Sequence, residues 1–199
     1  MKKIVDFFDS DFNLKDIYTL YLLQNMPFNG AIGHAINNTR FILICPPVSE
    51  RPNAINGTIS TIAHEYTHAI EFKSKVSRRL FKKSYDKYIG KNNIPEPDGY
   101  SWKMMYVEAI INCFANKITG GYLSPETYQK PRPTIDEMED GFRRIVKEKR
   151  YKTNHIINWA ALNILQDVEE HIEKGLKIDQ NIADKLSKIY LKFNRLFLF

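Results

Sequence analysis

The segment Asn56-Gly-Thr-Ile-Ser-Thr-Ile-Ala-His-Glu-Tyr-Thr-His-Ala-Ile70 carries two patterns at once. Ile59, Ile62, Ala63, Tyr66 and Ile70 recur at three- and four-residue steps, the spacing of one apolar stripe on a helix. At 100° per residue the stripe stays within roughly 60° of one line, while His64 and His68 fall about 140° to 180° away from it. One face is therefore expected to meet the core and the opposite face to carry the two imidazoles. Asn56 is a suitable N-cap, and Pro46-Pro47 and Pro52 break the chain before it.

Two histidines four apart on a helix stand one turn above the other and can offer two ring nitrogens to one ion. Glu65, between them, is the residue type that takes a proton from a water on such an ion. With 5 His and 12 Glu in the chain, shuffling yields this pentapeptide about once in 165 sequences. The placement opposite the apolar stripe adds to that signal.

Working outward, Asp11 to Asn25 places Leu14, Ile17, Tyr18, Tyr21 and Leu22 at helical spacing, so a helix is expected to open the domain. Ala31 to Ile36 and Thr39 to Cys45 read as two strands around Asn37-Asn38, a pair suited to a two-residue hairpin turn. A basic helix follows to Tyr88, then a Pro- and Gly-containing loop from Ile94 to Gly99. A second long helix is expected from about Tyr100 to Thr119, stopped by Gly120-Gly121. Thr134 and Glu137 form a capping box for a charged helix, and two more helices span Thr153 to Lys174 and Asp179 to Phe197. The expected fold class is α+β. It comprises a small antiparallel sheet or hairpin, the two-histidine helix and a glutamate-bearing helix, and the C-terminal half is mostly helical.

The chain has 199 residues and a mass of 23.3 kDa, with 43% apolar and 26% charged residues, the composition of one ordinary globular core. A single domain over 1–199 is expected, with a motif-bearing part at 1–121 and a helical part at 122–199. The net charge of +6 clusters only between Lys73 and Lys83, where apolar residues interrupt it at helical spacing, as on a solvated helix face. A helical DNA-associated factor would draw on that charge alone, and no nucleic-acid partner is expected. No run reaches the roughly 18 to 20 apolar residues that span a bilayer, and the first ten residues lack the apolar core of a signal peptide. Cys45 and Cys113 sit among apolar neighbours and suggest no disulfide framework. The chain is read as soluble and cytoplasmic, with no membrane partner. Tyr190, Phe193, Phe197 and Phe199 read as a packed stripe, and His34 as a half-buried strand residue.

A catalytic zinc usually keeps three protein ligands and one open position. No histidine follows His68 at the short spacing that would complete the set, so a carboxylate from the next long helix is better placed. That helix contains Glu108-Ala-Ile-Ile-Asn-Cys-Phe-Ala115. Together with His64-Glu-Tyr-Thr-His68, it resembles the gluzincin metallopeptidases, the thermolysin-like branch of the zincins. The resemblance covers about sixty residues, Asn56 to Ala115. The hairpin looks like the zincin edge strand that holds a peptide substrate. Asn112-Cys-Phe-Ala115 also looks like the Asn-x-Phe-Ala run of the intracellular ImmA/IrrE metallopeptidases, and the minigluzincins are a further compact relative in appearance.

The resemblance implies that His64, His68 and Glu108 bind Zn²⁺ and that Glu65 is the general base of peptide-bond hydrolysis. The family pattern has an acid four residues after the glutamate ligand. Asn112 stands there instead, able to accept a hydrogen bond but bringing no charge. The family also brings a Tyr or His to the developing oxyanion, for which Tyr100 and His155 are the candidates. Tyr106, Tyr122 and Tyr128 remain open. The expected partner is a peptide or protein substrate, and the ImmA/IrrE likeness adds a regulatory protein. The alternative is a non-catalytic zincin-like module whose metal only staples two helices, although a staple does not need Glu65.

Overall fold

The computed structural model of the chain describes residues 1–15, 19–22, 32–35, 41–45, 52–94, 96, 100–116, 119–123, 132–148 and 153–197, with side chains described for these outside 20–56, 146 and 195–197. The helices are α1 (Lys2–Phe8), α2 (Pro52–Phe72), α3 (Lys75–Ser84), α4 (Trp102–Ala115), α5 (Ile135–Lys147), α6 (Thr153–Glu173) and α7 (Gln180–Phe197). Three short strands are β1 (Thr19–Leu22), β2 (Ile32–Ala35) and β3 (Phe41–Cys45).

The expected α+β, zincin-like fold is corrected by this architecture. Helix makes up 76% of the described part of the chain against three short strands, so helices and not a sheet dominate the architecture. The described core is built by helices and the turns between them. Its centre is α4, where Trp102, Met105, Tyr106, Val107 and every residue from Ala109 to Ala115 are buried. A helix that is apolar on nearly all sides must be wrapped by other helices, and α2 and α6 flank it. Phe7 and Phe8 of α1 meet Phe114 edge-on at 5.6 and 5.8 Å. Phe142, Trp159 and Phe193 join α5, α6 and α7.

The strands form a three-stranded backbone sheet in the order β1-β3-β2, packed against α2 through β2 and β3. β1 runs parallel to β3, so the helix expected over Asp11 to Asn25 is also corrected. Thr19-Leu-Tyr-Leu22 is short enough for its apolar spacing to fit either element, and pairing with β3 decides it. β2 and β3 are antiparallel with Ala35 opposite Ile42. The turn expected at Asn37-Asn38 falls between these paired residues. Residues 36–40 lie outside the described residues, as do the side chains of His34 and Cys45.

Several local readings match the sequence. Thr134 N–H donates to Glu137 Oε2 at 2.7 Å and Glu137 N–H to Thr134 Oγ1 at 3.2 Å, the reciprocal capping box at the start of α5. On α3, Ser77, Phe81 and Ser84 face inward and its basic residues are exposed. Tyr190 and Phe193 are buried. Cys113 is a buried free thiol donating to the carbonyls of Ala109 and Ala161, and burial pushes its pKa up. Among the described residues, no helix is long and apolar enough to cross a membrane.

α4 ends at Ala115, before the expected Thr119, because the chain turns back onto it. Gly121 N–H donates to Asn116 O at 2.9 Å and Tyr122 N–H to Cys113 O at 3.0 Å. A Cβ at Gly121 would stand 2.8 Å from the carbonyl carbon of Phe114 and 2.9 Å from Ala115 N. Gly121→Ala is therefore expected to lower stability by about 1–3 kcal/mol in urea denaturation. An unchanged midpoint would show that the turn relaxes freely.

Candidate metal centre

α2 presents His64 and His68 from successive turns, and α4 presents Glu108 against them. His64 Nε2 lies 3.2 Å from Glu108 Oε2, and His68 Nε2 lies 3.2 Å from Glu108 Oε1. The two Nε2 atoms are 3.1 Å apart, and the rings meet edge-on at 4.8 Å. Ligand atoms bound at 2.0–2.2 Å to one tetrahedral ion stand about 3.3–3.5 Å from each other. The three donors thus converge almost as they would around a common ion. They form the one group of three or more such residues among the described residues, with ligand atoms within 4.8 Å of one another. Two imidazoles and a carboxylate suit a borderline divalent cation.

The helix that carries the histidines departs from the expected two-faced picture. Ile59 is 46% exposed, and Ser60, Glu65, Thr67 and Glu71 are buried with Ile70. α2 has the sheet and α1 beside it as well as α4, so polar residues as well as apolar ones lose solvent. His64 and His68 remain half-buried, open enough to exchange a ligand.

Burial alone would raise the Glu108 carboxyl, but hydrogen bonds from His64 and His68 outweigh it and hold the group down to about 2. Burial pulls His68 down, yet Glu108, with help from Glu65 and Glu71, leaves its pKa raised. When His68 is protonated the metal-free triad is an ion pair, and that proton occupies part of the ligand set. The depressed Glu108 contributes stability above its unfolded value that is lost as pH falls toward about 2. The raised His68 contributes stability below its ordinary value of 6.5 that is lost as pH rises through its folded value. Metal binding must expel that proton, so affinity should climb with pH, by up to about tenfold per unit for each proton displaced, and level off once pH passes the raised pKa of His68. Calorimetric titration of zinc in buffers of different ionisation enthalpy measures this release, and a flat profile between pH 6 and 8 would refute it.

Glu65 is 6% exposed and close enough to His68 to act on its ring charge. Tyr100 lies just before Ser101, the N-cap of α4, half-buried against the core. Burial, and then the Glu108 carboxylate, push its phenol up. Tyr100 is thus within electrostatic reach of the triad. His155 lies in the first turn of α6 and is half-buried, outside the converging group. Tyr106 is removed from consideration, since it is fully buried with its hydroxyl bonded to Ser187 Oγ. Tyr122 follows the turn after α4 and is 42% exposed, and Tyr128 lies outside the described residues. Asn112 Nδ2 donates to Asn158 Oδ1 at 3.0 Å, and Asn116 Nδ2 donates to the same oxygen at 2.9 Å. The amide of Asn112 is thereby oriented from α6, with its own oxygen turned away from Asn158.

The sequence reading passed over Glu71, which is buried one turn beyond His68 and accepts from Ser77 Oγ at 2.6 Å. Its signal was present as an acid three residues after the second histidine, a position that shares the helix face with it.

Comparison with protein-family models, with curated proteins and with solved structures finds no match. The chain's own features define a predominantly helical protein in which His64, His68 and Glu108 could hold a metal ion.

Proposed function

We propose that the protein is a zinc-dependent metallopeptidase of the gluzincin type, hydrolysing peptide bonds with Glu65 as general base. The observation that carries this reading is the placement of a buried carboxylate, Glu65, between two histidines whose Nε2 atoms share the two oxygens of Glu108. A site that only stapled α2 to α4 would need a fourth protein ligand more than it needs a buried base.

His64, His68 and Glu108 would hold the ion, which when bound supplies positive charge to polarise the scissile carbonyl and acidify a water. Glu65 accepts a proton from the attacking water as the carbon–oxygen bond forms. It returns that proton to the amide nitrogen as the carbon–nitrogen bond breaks, leaving a carboxylic acid and an amine. Tyr100, just before the N-cap of α4 and within electrostatic reach of Glu108, would donate a hydrogen bond to the developing oxyanion. The substrate is a peptide or protein, with a regulatory protein as the narrower candidate.

The test is metal analysis combined with cleavage of a peptide library, with and without a chelator. About one zinc per chain and cleavage that stops on chelation and returns with zinc would support the reading. Stoichiometric zinc without cleavage of any peptide would favour the staple, and absence of metal would overturn both.

A further inference from the structure

We propose that Glu71 is a positioning residue of the metal centre, whose negative charge holds His68 as a ligand and raises the affinity of the site for a divalent cation. The inference rests on the metal reading of His64, His68 and Glu108 and adds a fourth residue to it.

Glu71 is in the last turn of α2, three residues beyond His68, so the two side chains are neighbours on one helix face. It is 5% exposed. A buried carboxylate is costly unless charge or hydrogen bonds compensate it. Its hydrogen bond among the described residues comes from Ser77 Oγ at 2.6 Å. Ser77 is itself fixed, because its N–H donates to Ser74 Oγ, the N-cap of α3. Ser74 Oγ in turn donates to Phe8 O at 2.5 Å, and Ser10 Oγ donates to Ile70 O at 2.6 Å. The carboxylate is thus oriented by a chain of hydroxyls that ties α1, α2 and α3 together.

Burial pushes the Glu71 carboxyl up, and the Ser77 hydroxyl and the charges of Lys103 of α4, His68 of α2 and Arg78 of α3 only partly oppose it. None of them forms an ion pair with it among the described residues, and the Arg78 Nε–H donates instead to Ser74 O at 3.1 Å. A divalent ion one helical turn away would supply the missing positive charge. Glu71, one helical turn from His68, would act on that ring through its charge and make it a better donor, and losing an outer carboxylate partner of a ligating histidine typically weakens metal binding about 10- to 100-fold.

The experiment measures zinc affinity by competition with a chromophoric chelator on the full chain, for wild type, Glu71→Gln, Ser77→Ala and Glu170→Gln. Glu71→Gln keeps the shape and can still accept from Ser77, and it should weaken zinc binding about 10- to 100-fold. The melting temperature of the metal-free variant should not fall. Ser77→Ala, which frees the carboxylate without removing its charge, should weaken binding less. Glu170→Gln makes the same charge change on an exposed face of α6 and should leave affinity unchanged. The visible bands of the cobalt-substituted protein should shift in Glu71→Gln alone, a change that a purely structural role would not cause. Glu71→Gln affinity within twofold of wild type would overturn the inference while leaving the metal centre standing. Loss of affinity that tracks loss of apo stability in both Glu71→Gln and Ser77→Ala would assign Glu71 to folding instead. Failure of wild type itself to bind zinc would remove the metal reading and this inference with it.

Discussion

Glu65→Gln is expected to lower the turnover of any peptide that wild type cleaves by about 10²- to 10⁴-fold, the usual range for losing a positioned general base. The exchange is close to isosteric, but the amide cannot accept the proton that the attacking water must lose. Glu65 is not among the converging ligand atoms, so about one zinc per chain should remain. Because Glu65 is buried, unchanged circular dichroism must accompany the kinetics, so that lost turnover is not mistaken for unfolding. Turnover within tenfold of wild type would show that another group takes the proton. Loss of zinc in Glu65→Gln would instead make Glu65 part of the binding set.

Removing Glu108 should have the next largest effect, on metal binding itself. A zinc site is worth about 10–16 kcal/mol over four ligands, so one ligand contributes about 3–4 kcal/mol, or roughly 10²- to 10³-fold in affinity. Glu108→Gln places a neutral amide where both histidines find a carboxylate oxygen at 3.2 Å. The same change acts on the metal-free protein. Burial is the largest influence on His68 and pulls its pKa down, while Glu108 is the principal group that raises it. In Glu108→Gln the His68 ring should therefore titrate at lower pH than in wild type, as followed by NMR of the ring protons. An unchanged titration would mean that the carboxylate does not face the ring in solution. Zinc affinity within threefold of wild type would exclude Glu108 as a ligand.

The two effects separate chemistry from binding. Glu65→Gln should leave a loaded and inactive protein, and Glu108→Gln an unloaded one. A protein in which the metal only joined α2 to α4 would show the second effect and have no activity for the first to remove.

Much of the helical framework was legible because local rules decide it. Thr134 and Glu137 announce the start of α5 through reciprocal hydrogen bonds that need no tertiary partner. The stretches around α6 and α7 are long and periodic, and their observed limits fall within a residue of those expected. The parallel strand β1 was not legible, since Thr19–Leu22 takes its conformation from pairing with Phe41–Ile44, about twenty residues away. Nor was the weight of helix over sheet. That follows from the burial of α4 on nearly all sides, which places it at the centre of the helices instead of on a sheet face.

For the site, His64, Glu65 and His68 were readable as one unit because a helix fixes their mutual placement through a four-residue spacing. Glu108 was readable only through resemblance, since forty residues separate it from His68 and no local rule brings them together. The contrast between Tyr100 and Tyr106 was equally hidden. Both belong to the segment that opens α4, but one stays half-buried within electrostatic reach of Glu108 and the other is sealed against Ser187 of α7. The chemistry on offer, two imidazoles and a carboxylate on one helix, is written in the His64-Glu-Tyr-Thr-His68 spacing alone. That Glu108 faces both histidines and that Glu71 is buried against Ser77 follow from how α2, α3 and α4 pack, which no local rule in the chain prescribes.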